Sequence, residues 1–203
     1  VAKIPYVVPA RAELDERLDA VLSVVYLVFS EGYAATSGEL LLRNDLCREA
    51  IRLARLLVQL MPERAEPLVL LSLMLLHDSR SAARVDANGE LVLLEDQDRR
   101  RWNQAQINEG VGLLERALLS GVKSPYAIQA AIAALHAQAE TASETDWPQI
   151  AGLYAELLRR ESSPVIALNH AAAVAMAEGP ERGLALLDAL AADSSMQNYH
   201  LYF

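Results

Sequence analysis

The chain has 203 residues, 53% of them hydrophobic and 22% charged, with 18 Lys and Arg against 27 Asp and Glu for a formal net charge of −9. That length buries a core without disulfides or structural metals, and the one cysteine, Cys47, excludes a disulfide framework and a cysteine-rich zinc site. An acidic surface repels phosphate backbones and 5% aromatic residues offer few stacking platforms, so the chain as a whole is a poor nucleic-acid binder.

The opening Val1-Ala-Lys-Ile-Pro-Tyr-Val-Val-Pro9 holds two prolines and no apolar stretch of signal-peptide length. The first residue is Val, which fits a processed or excised segment. A single free thiol suits a reducing compartment, and the expected location is the cytoplasm. Leu14, Leu18, Val21, Leu22, Val25 and Phe29 follow one face of a helix that Gly32 would stop. Leu46, Ala50, Leu53, Ala54, Leu57 and Met61 form a second face, with Asn44 or Asp45 as cap and Pro62 as stop. The run Leu68 to Leu76, interrupted only by Ser72, is about half of the ~20 residues a membrane span needs. It reads as a central helix buried on all sides. Val85-Asp-Ala-Asn-Gly-Glu-Leu-Val-Leu-Leu94 breaks the helical pattern, and Asn88-Gly89 predicts a small β-hairpin near 84–94.

Helices continue through the second half. Ile107, Val111, Leu114 and Leu118 make a stripe closed by Gly121, and Ser124-Pro125 opens the helix of Ile128, Ala131, Ile132 and Leu135. Asp146-Trp-Pro-Gln149 has the form of a capping box ahead of Ile150, Leu153, Tyr154 and Leu157. Ser163-Pro164 opens a helix with Val165, Leu168, Ala172 and Ala175 inside. Gly179-Pro180 opens another with Leu184, Leu187 and Leu190, and Asn198 starts one more. The two Ser-Pro starts set a repeat of roughly 35–40 residues, and Gly183 and Leu184 fall where the last pair of helices would cross. The expected fold is all-α: stacked tetratricopeptide-like helical hairpins in an α-α superhelix, with one small β-hairpin insertion. Residues 1–122 would form an amino-terminal helical part and 123–203 the helical pairs, within one continuous domain whose most flexible joint is Thr141 to Asp146.

Chemistry-bearing residues are densest around the hairpin: His77, Asp78, Arg80, Arg84, Asp96, Asp98, Arg99 and Trp102. One reading is a metal or acid–base site. The other is a structural cluster of ion pairs and caps, or an interaction surface. No paired-histidine motif at zinc spacing, no glycine-rich phosphate loop and no nucleophile–base arrangement is present. His77, His136, His170 and His200 lie in separate segments. The expectation is therefore no catalytic residue, no metal and no cofactor. Arg99-Arg100-Arg101 sits beside Glu95, Asp96 and Asp98, where local pairing is expected. Glu31 is expected to pair with Arg48 or Arg52, and Cys47 to be a buried inert thiol.

Several strings occur together in order: Ile4-Pro-Tyr-Val-Val-Pro9, Val25-Tyr-Leu-Val-Phe-Ser-Glu-Gly-Tyr33, Asp45-Leu-Cys-Arg-Glu-Ala-Ile-Arg-Leu53, Met74-Leu-Leu-His-Asp-Ser-Arg80, Leu94-Glu-Asp-Gln-Asp-Arg99 with Trp102, and Ser163-Pro-Val-Ile-Ala-Leu-Asn169. This ordered set resembles the carboxy-terminal, tetratricopeptide-like extension of a bacterial subgroup of extracytoplasmic-function RNA polymerase sigma factors. The resemblance implies a non-enzymatic regulatory domain in transcription initiation, without the promoter-reading and core-binding domains, which would lie before Val1. Its implied partners are its own sigma domains and RNA polymerase, or a regulatory protein. DNA would be reached only through the absent domains, and no membrane is involved. The alternatives from other classes are a small-ligand or enzymatic helical domain using the His77–Trp102 cluster, and a general helical-repeat scaffold.

Overall fold

The computed structural model describes residues 11–33 and 43–191. The string Ile4–Pro9, the helix expected to open at Asn198, and His200 lie outside the described residues. Within them are eight helices: α1 (Arg11–Tyr33), α2 (Asn44–Leu60), α3 (Glu66–Asp78), α4 (Gln104–Leu119), α5 (Pro125–Gln138), α6 (Trp147–Arg160), α7 (Pro164–Glu178) and α8 (Pro180–Ala191). Consecutive antiparallel neighbours stack as helical hairpins, as the all-α expectation had it.

The centre is α3. Every residue from Pro67 to Leu76 is buried, so the helix has no solvent face. Four helices surround it: α1, α2, α4 and α5. Ser72, the polar residue in the run, donates to the Gly110 carbonyl oxygen at 2.7 Å. That satisfies the hydroxyl and draws α4 close. A Cβ on Gly110 would stand 2.9 Å from Leu76 Cγ.

α5 is two-faced. Ala127, Ala130, Ala133, Ala134 and Ala137 belong to the cluster around α3. Ile128 and Ile132 belong to a second cluster with Ile150, Leu157, Ala173 and Val174. Small residues let α5 approach α3, while its branched residues fill the space toward α6 and α7. The α5/α6 and α7/α8 pairs are the two units opened by Ser-Pro. Ser124 accepts from the Ala127 N–H at 3.3 Å. Ser163 makes no side-chain cap bond, and the α7 start rests on proline at the first turn. Gly183 lies at the α7–α8 crossing as expected, where an added Cβ would meet Ala175 Cβ at 2.4 Å and Ala171 O at 2.9 Å, but Leu184, expected there with it, is 58% exposed.

Several local expectations are corrected. The β-hairpin shrinks to a single antiparallel bridge, Val85 to Leu91. Asp86 closes the turn by accepting from the Asn88 and Glu90 N–H groups at 2.8 and 2.9 Å, with Gly89 at φ +87°. The second arm then bends into a 3₁₀ turn, Leu94–Asp96, because Leu94 packs onto the core. Gly32 does not stop α1. It lies inside the helix, where a Cβ would come within 2.8 Å of Cys47 N and Sγ, so it is a close-approach residue. α2 carries no Asn44 or Asp45 cap; it begins after Arg43, whose N–H donates to the Gly32 carbonyl. The Asp146 cap of α6 is present as expected, accepting from the Gln149 N–H at 3.0 Å. Thr141 to Asp146 is pinned where Glu144 accepts from the Thr141 N–H at 3.0 Å. On α7, Val165 and Ala172 face out while Ala171, Ala173 and Val174 are buried. That helix is apolar nearly all round, so periodicity alone could not choose its face.

Two glycine substitutions check this packing by denaturant unfolding. Gly183→Ala is expected to destabilise by ~1–3 kcal/mol through overpacking at the α7–α8 crossing. Gly152→Ala, in α6 with open space at its Cβ, is expected to stabilise by about 0.5–1 kcal/mol. Equal effects would contradict the crossing geometry.

Candidate functional site

The segment from Ser79 to Asn103 leaves α3, makes its turn and returns to α4. The Asn103 N–H donates to the Ser79 carbonyl at 2.8 Å, so both ends of the segment are tied together. Arginines anchor what lies between. Arg84 sits 3.5 Å over the Tyr33 ring and donates to the Tyr33 carbonyl, capping α1. Arg99 donates through Nη1 to the carbonyls of His136 and Ala139, each at 2.7 Å, capping α5. It also lies 4.6 Å over the Trp102 ring. Arg80 donates through Nη2 to Tyr33 Oη at 2.7 Å and contacts His77 Nδ1 at 3.2 Å. Each cation thus meets backbone oxygens or aromatic faces, and none of the three forms an ion pair among the described residues.

The sequence-predicted residues divide accordingly. His77, Arg80, Arg84, Arg99 and Trp102 come together between α1, α3 and α5. Trp102 is only 3% exposed. Asp78 is set apart, accepting from Gln106 Nε2 at 2.7 Å. Asp96 and Asp98 face solvent. Asp98 caps the 3₁₀ turn Arg99–Arg101 and pairs with exposed Arg100 at 2.9 Å. The expected ion pairing within the arginine run is therefore confined to its outer face. Arg52 pairs with Glu49 at 2.7 Å. Tyr33, Thr145 and Trp147 complete the cluster. Thr145 accepts from Arg99 at 3.4 Å, and the Trp147 ring meets His136 edge-on at 5.2 Å. Local pattern held no signal for them, since these contacts join distant parts of the chain.

Burial, then the charges of Arg80, Arg84 and His136, pushes His77 down to about 3. Burial, then Arg80 and Arg99, pushes His136 down to about 4. Both imidazoles are neutral at pH 7. Burial, then the nearby Asp78 carboxylate, pushes the Cys47 thiol up to about 11, so it stays protonated. Its Sγ contacts the Phe29 carbonyl at 3.7 Å. Among the described residues no three His, Cys, Asp or Glu side chains converge as metal ligands, and no helix is long and apolar enough to cross a membrane.

A family model described as a family of unknown function, DUF6596, matches residues 17–118, half of the chain, and the chain belongs to this family. The matched stretch runs from α1 to the end of α4 and holds the whole Ser79–Asn103 segment. The uncharacterized protein R00370 of Rhizobium meliloti (strain 1021) is 50% identical over 189 residues, which is 93% of this chain and 45% of the relative. The chain thus spans less than half the length of that relative. No solved structure matches.

Two measurements follow from this geometry. Trp102→Ala is expected to cost ~3–5 kcal/mol of stability, and Arg99→Ala ~1.5–3 kcal/mol through lost charge-assisted bonds. Arg100→Ala, fully in solvent, should leave the melting temperature unchanged. An Arg99 variant as stable as the Arg100 variant would remove the capping role. The second is a pH series. A histidine whose folded value lies below its unfolded value of about 6.5 leaves the folded state disfavoured once the unfolded chain gains the proton. Its contribution is intact above that value and falls as pH drops toward about 4. His136→Gln should flatten the loss of stability between pH 7 and 5, by up to ~1 kcal/mol per unit. An unchanged slope would mean that His136 is not held neutral.

Proposed function

We propose that this chain is the regulatory, protein-interacting extension of an extracytoplasmic-function sigma factor, cytoplasmic and non-enzymatic, acting in bacterial transcription initiation. The ordered strings from Val25–Tyr33 to Ser163–Asn169 support the reading. So does the net charge of −9, which suits protein contacts better than DNA contacts.

The observation that carries it is an apolar hollow on the outer side of α1 and α2. Val21, Val24 and Leu56 are 41%, 59% and 41% exposed there, and Val25, Leu53 and Leu57 form its floor. Clustered exposed branched residues mark a surface that a protein partner covers. The relative carries more than half of its length outside the matched stretch. The occupant of the hollow in this reading is the sigma factor's own preceding domains. The Ser79–Asn103 latch then acts as the internal frame that holds α1 in place.

The test is transcription by purified core RNA polymerase on genomic fragments with the longer Rhizobium relative added. Promoter-specific starts above those of core enzyme alone are expected. Aspartate at the positions corresponding to Val24 and Leu56 should reduce those starts while the separate 203-residue chain with both changes keeps its melting temperature. Failure of the relative to direct any start above core alone would defeat the sigma-factor reading. Normal starts from the doubly substituted protein would defeat this surface as the contact.

A further inference from the structure

A second feature stands apart from the α1–α2 hollow and from any role in transcription. A cavity of about 350 Å³ lies between the α3 end and the α5/α6/α7 stack. Its volume falls in the range of small-molecule sites. Its lining combines aliphatic Ile132, Leu157 and Ile166 with Arg80, His77 and His136, and the uncharged polar side chains of Gln129, Tyr154 and Asn169 complete it.

The chemistry of the polar lining selects the ligand. The Arg80 guanidinium lies 5.9 Å over the Trp102 ring and gives only Nη2 to protein hydrogen-bond acceptors, so Nη1 and Nε make no hydrogen bond among the described residues. No carboxylate among the described residues pairs with it. Asp78, two residues before it, accepts from Gln106. His136 Nδ1 is buried and has no hydrogen-bond partner among the described residues. Free guanidinium donors that face a cavity offer a place for an anion, and a planar two-oxygen anion matches their fork. Because both histidines are neutral, the lining carries one positive charge. That favours a monoanion over a phosphate dianion. The aliphatic lining requires an apolar body on the same molecule.

We propose that this cavity binds a small carboxylate with an apolar body, its carboxylate on Arg80 beside His77 and His136 and its body against Ile132, Leu157 and Ile166. The neutral His136 ring supplies a donor or an acceptor to the carboxylate edge or to an accompanying water. The aliphatic part displaces water from the α5–α7 side, so charge and apolar area contribute together.

The probe is octanoate, with octanamide as its uncharged counterpart, titrated into the 203-residue chain carrying ¹³C-labelled histidine. Saturable shifts of the His77 and His136 ring signals are expected with octanoate, those signals being assigned with His77→Gln and His136→Gln. Octanamide should bind about tenfold more weakly, the size of one lost charge-assisted contact. Arg80→Gln should weaken octanoate by a similar factor. Since Arg80 also holds Tyr33, a rim variant guards against misfolding: Val165→Trp, at a position 42% exposed, should abolish binding of both probes without lowering the melting temperature. Shifts that never saturate, equal binding of acid and amide, or undiminished binding in folded Val165→Trp would each overturn the proposal.

Discussion

The rest of this structure depends on a helix that has no face for water. Ten consecutive buried residues, Pro67 to Leu76, oblige α3 to be enclosed. Each enclosing helix must then present a surface that closes on it without a gap. α5 does so with alanines, α4 with Gly110, and α1 with Leu18, Leu22, Val25 and Phe29. Ser72 survives in that interior because its hydroxyl finds the Gly110 carbonyl. An unpaired hydroxyl there would be costly. The same enclosure brings the polar end of α3 out of the core at one place, which is where His77 and Arg80 meet.

At that place the protein balances half-buried cations without carboxylates. Arg84 and Arg99 each end on the carbonyls at a helix carboxy terminus, where the backbone presents unsatisfied acceptors and partial negative charge. Tyr33 and Trp102 offer their ring faces to the same two guanidinium groups. This arrangement fastens a long irregular segment to two helices that are remote in sequence. It also leaves a net positive field near His77 and His136. With burial, that field keeps both rings uncharged. A clamp built this way has spare donor capacity at Arg80, which separates its cavity-facing chemistry from its structural role.

α5 joins the two hydrophobic clusters, and its carboxy-terminal end is held by Arg99. The space between α3 and the α6/α7 side is therefore shaped from both directions: by alanine packing on one side and by the arginine latch on the other. The outward apolar hollow on α1 and α2 lies elsewhere on the molecule. The hollow and the cavity are thus formed by different surfaces of the same bundle.

The sequence by itself determined the helices, because apolar period and punctuation are local properties. The central buried helix, the Ser-Pro starts and the Asp146 cap are legible without any neighbour. The crossing at Gly183 follows once two adjacent helices are accepted. The set of residues that matter around Trp102 was also legible as a cluster of types. What each of them does was not. Whether Arg99 meets an acid, a partner or a carbonyl depends on α5 arriving from far along the chain. Tyr33 has no local mark that would tie it to Arg80 and Arg84. Gly32 reads as a stop signal in one dimension and becomes a close contact only when α2 is laid against α1. The hairpin shows the same division. Asn88-Gly89 does make the turn, but Leu94 is drawn to the core and the second arm bends away before a ladder forms. Local chemistry chooses turns and caps; burial chooses which faces and which partners are kept, because the apolar area removed from water outweighs a few ladder hydrogen bonds.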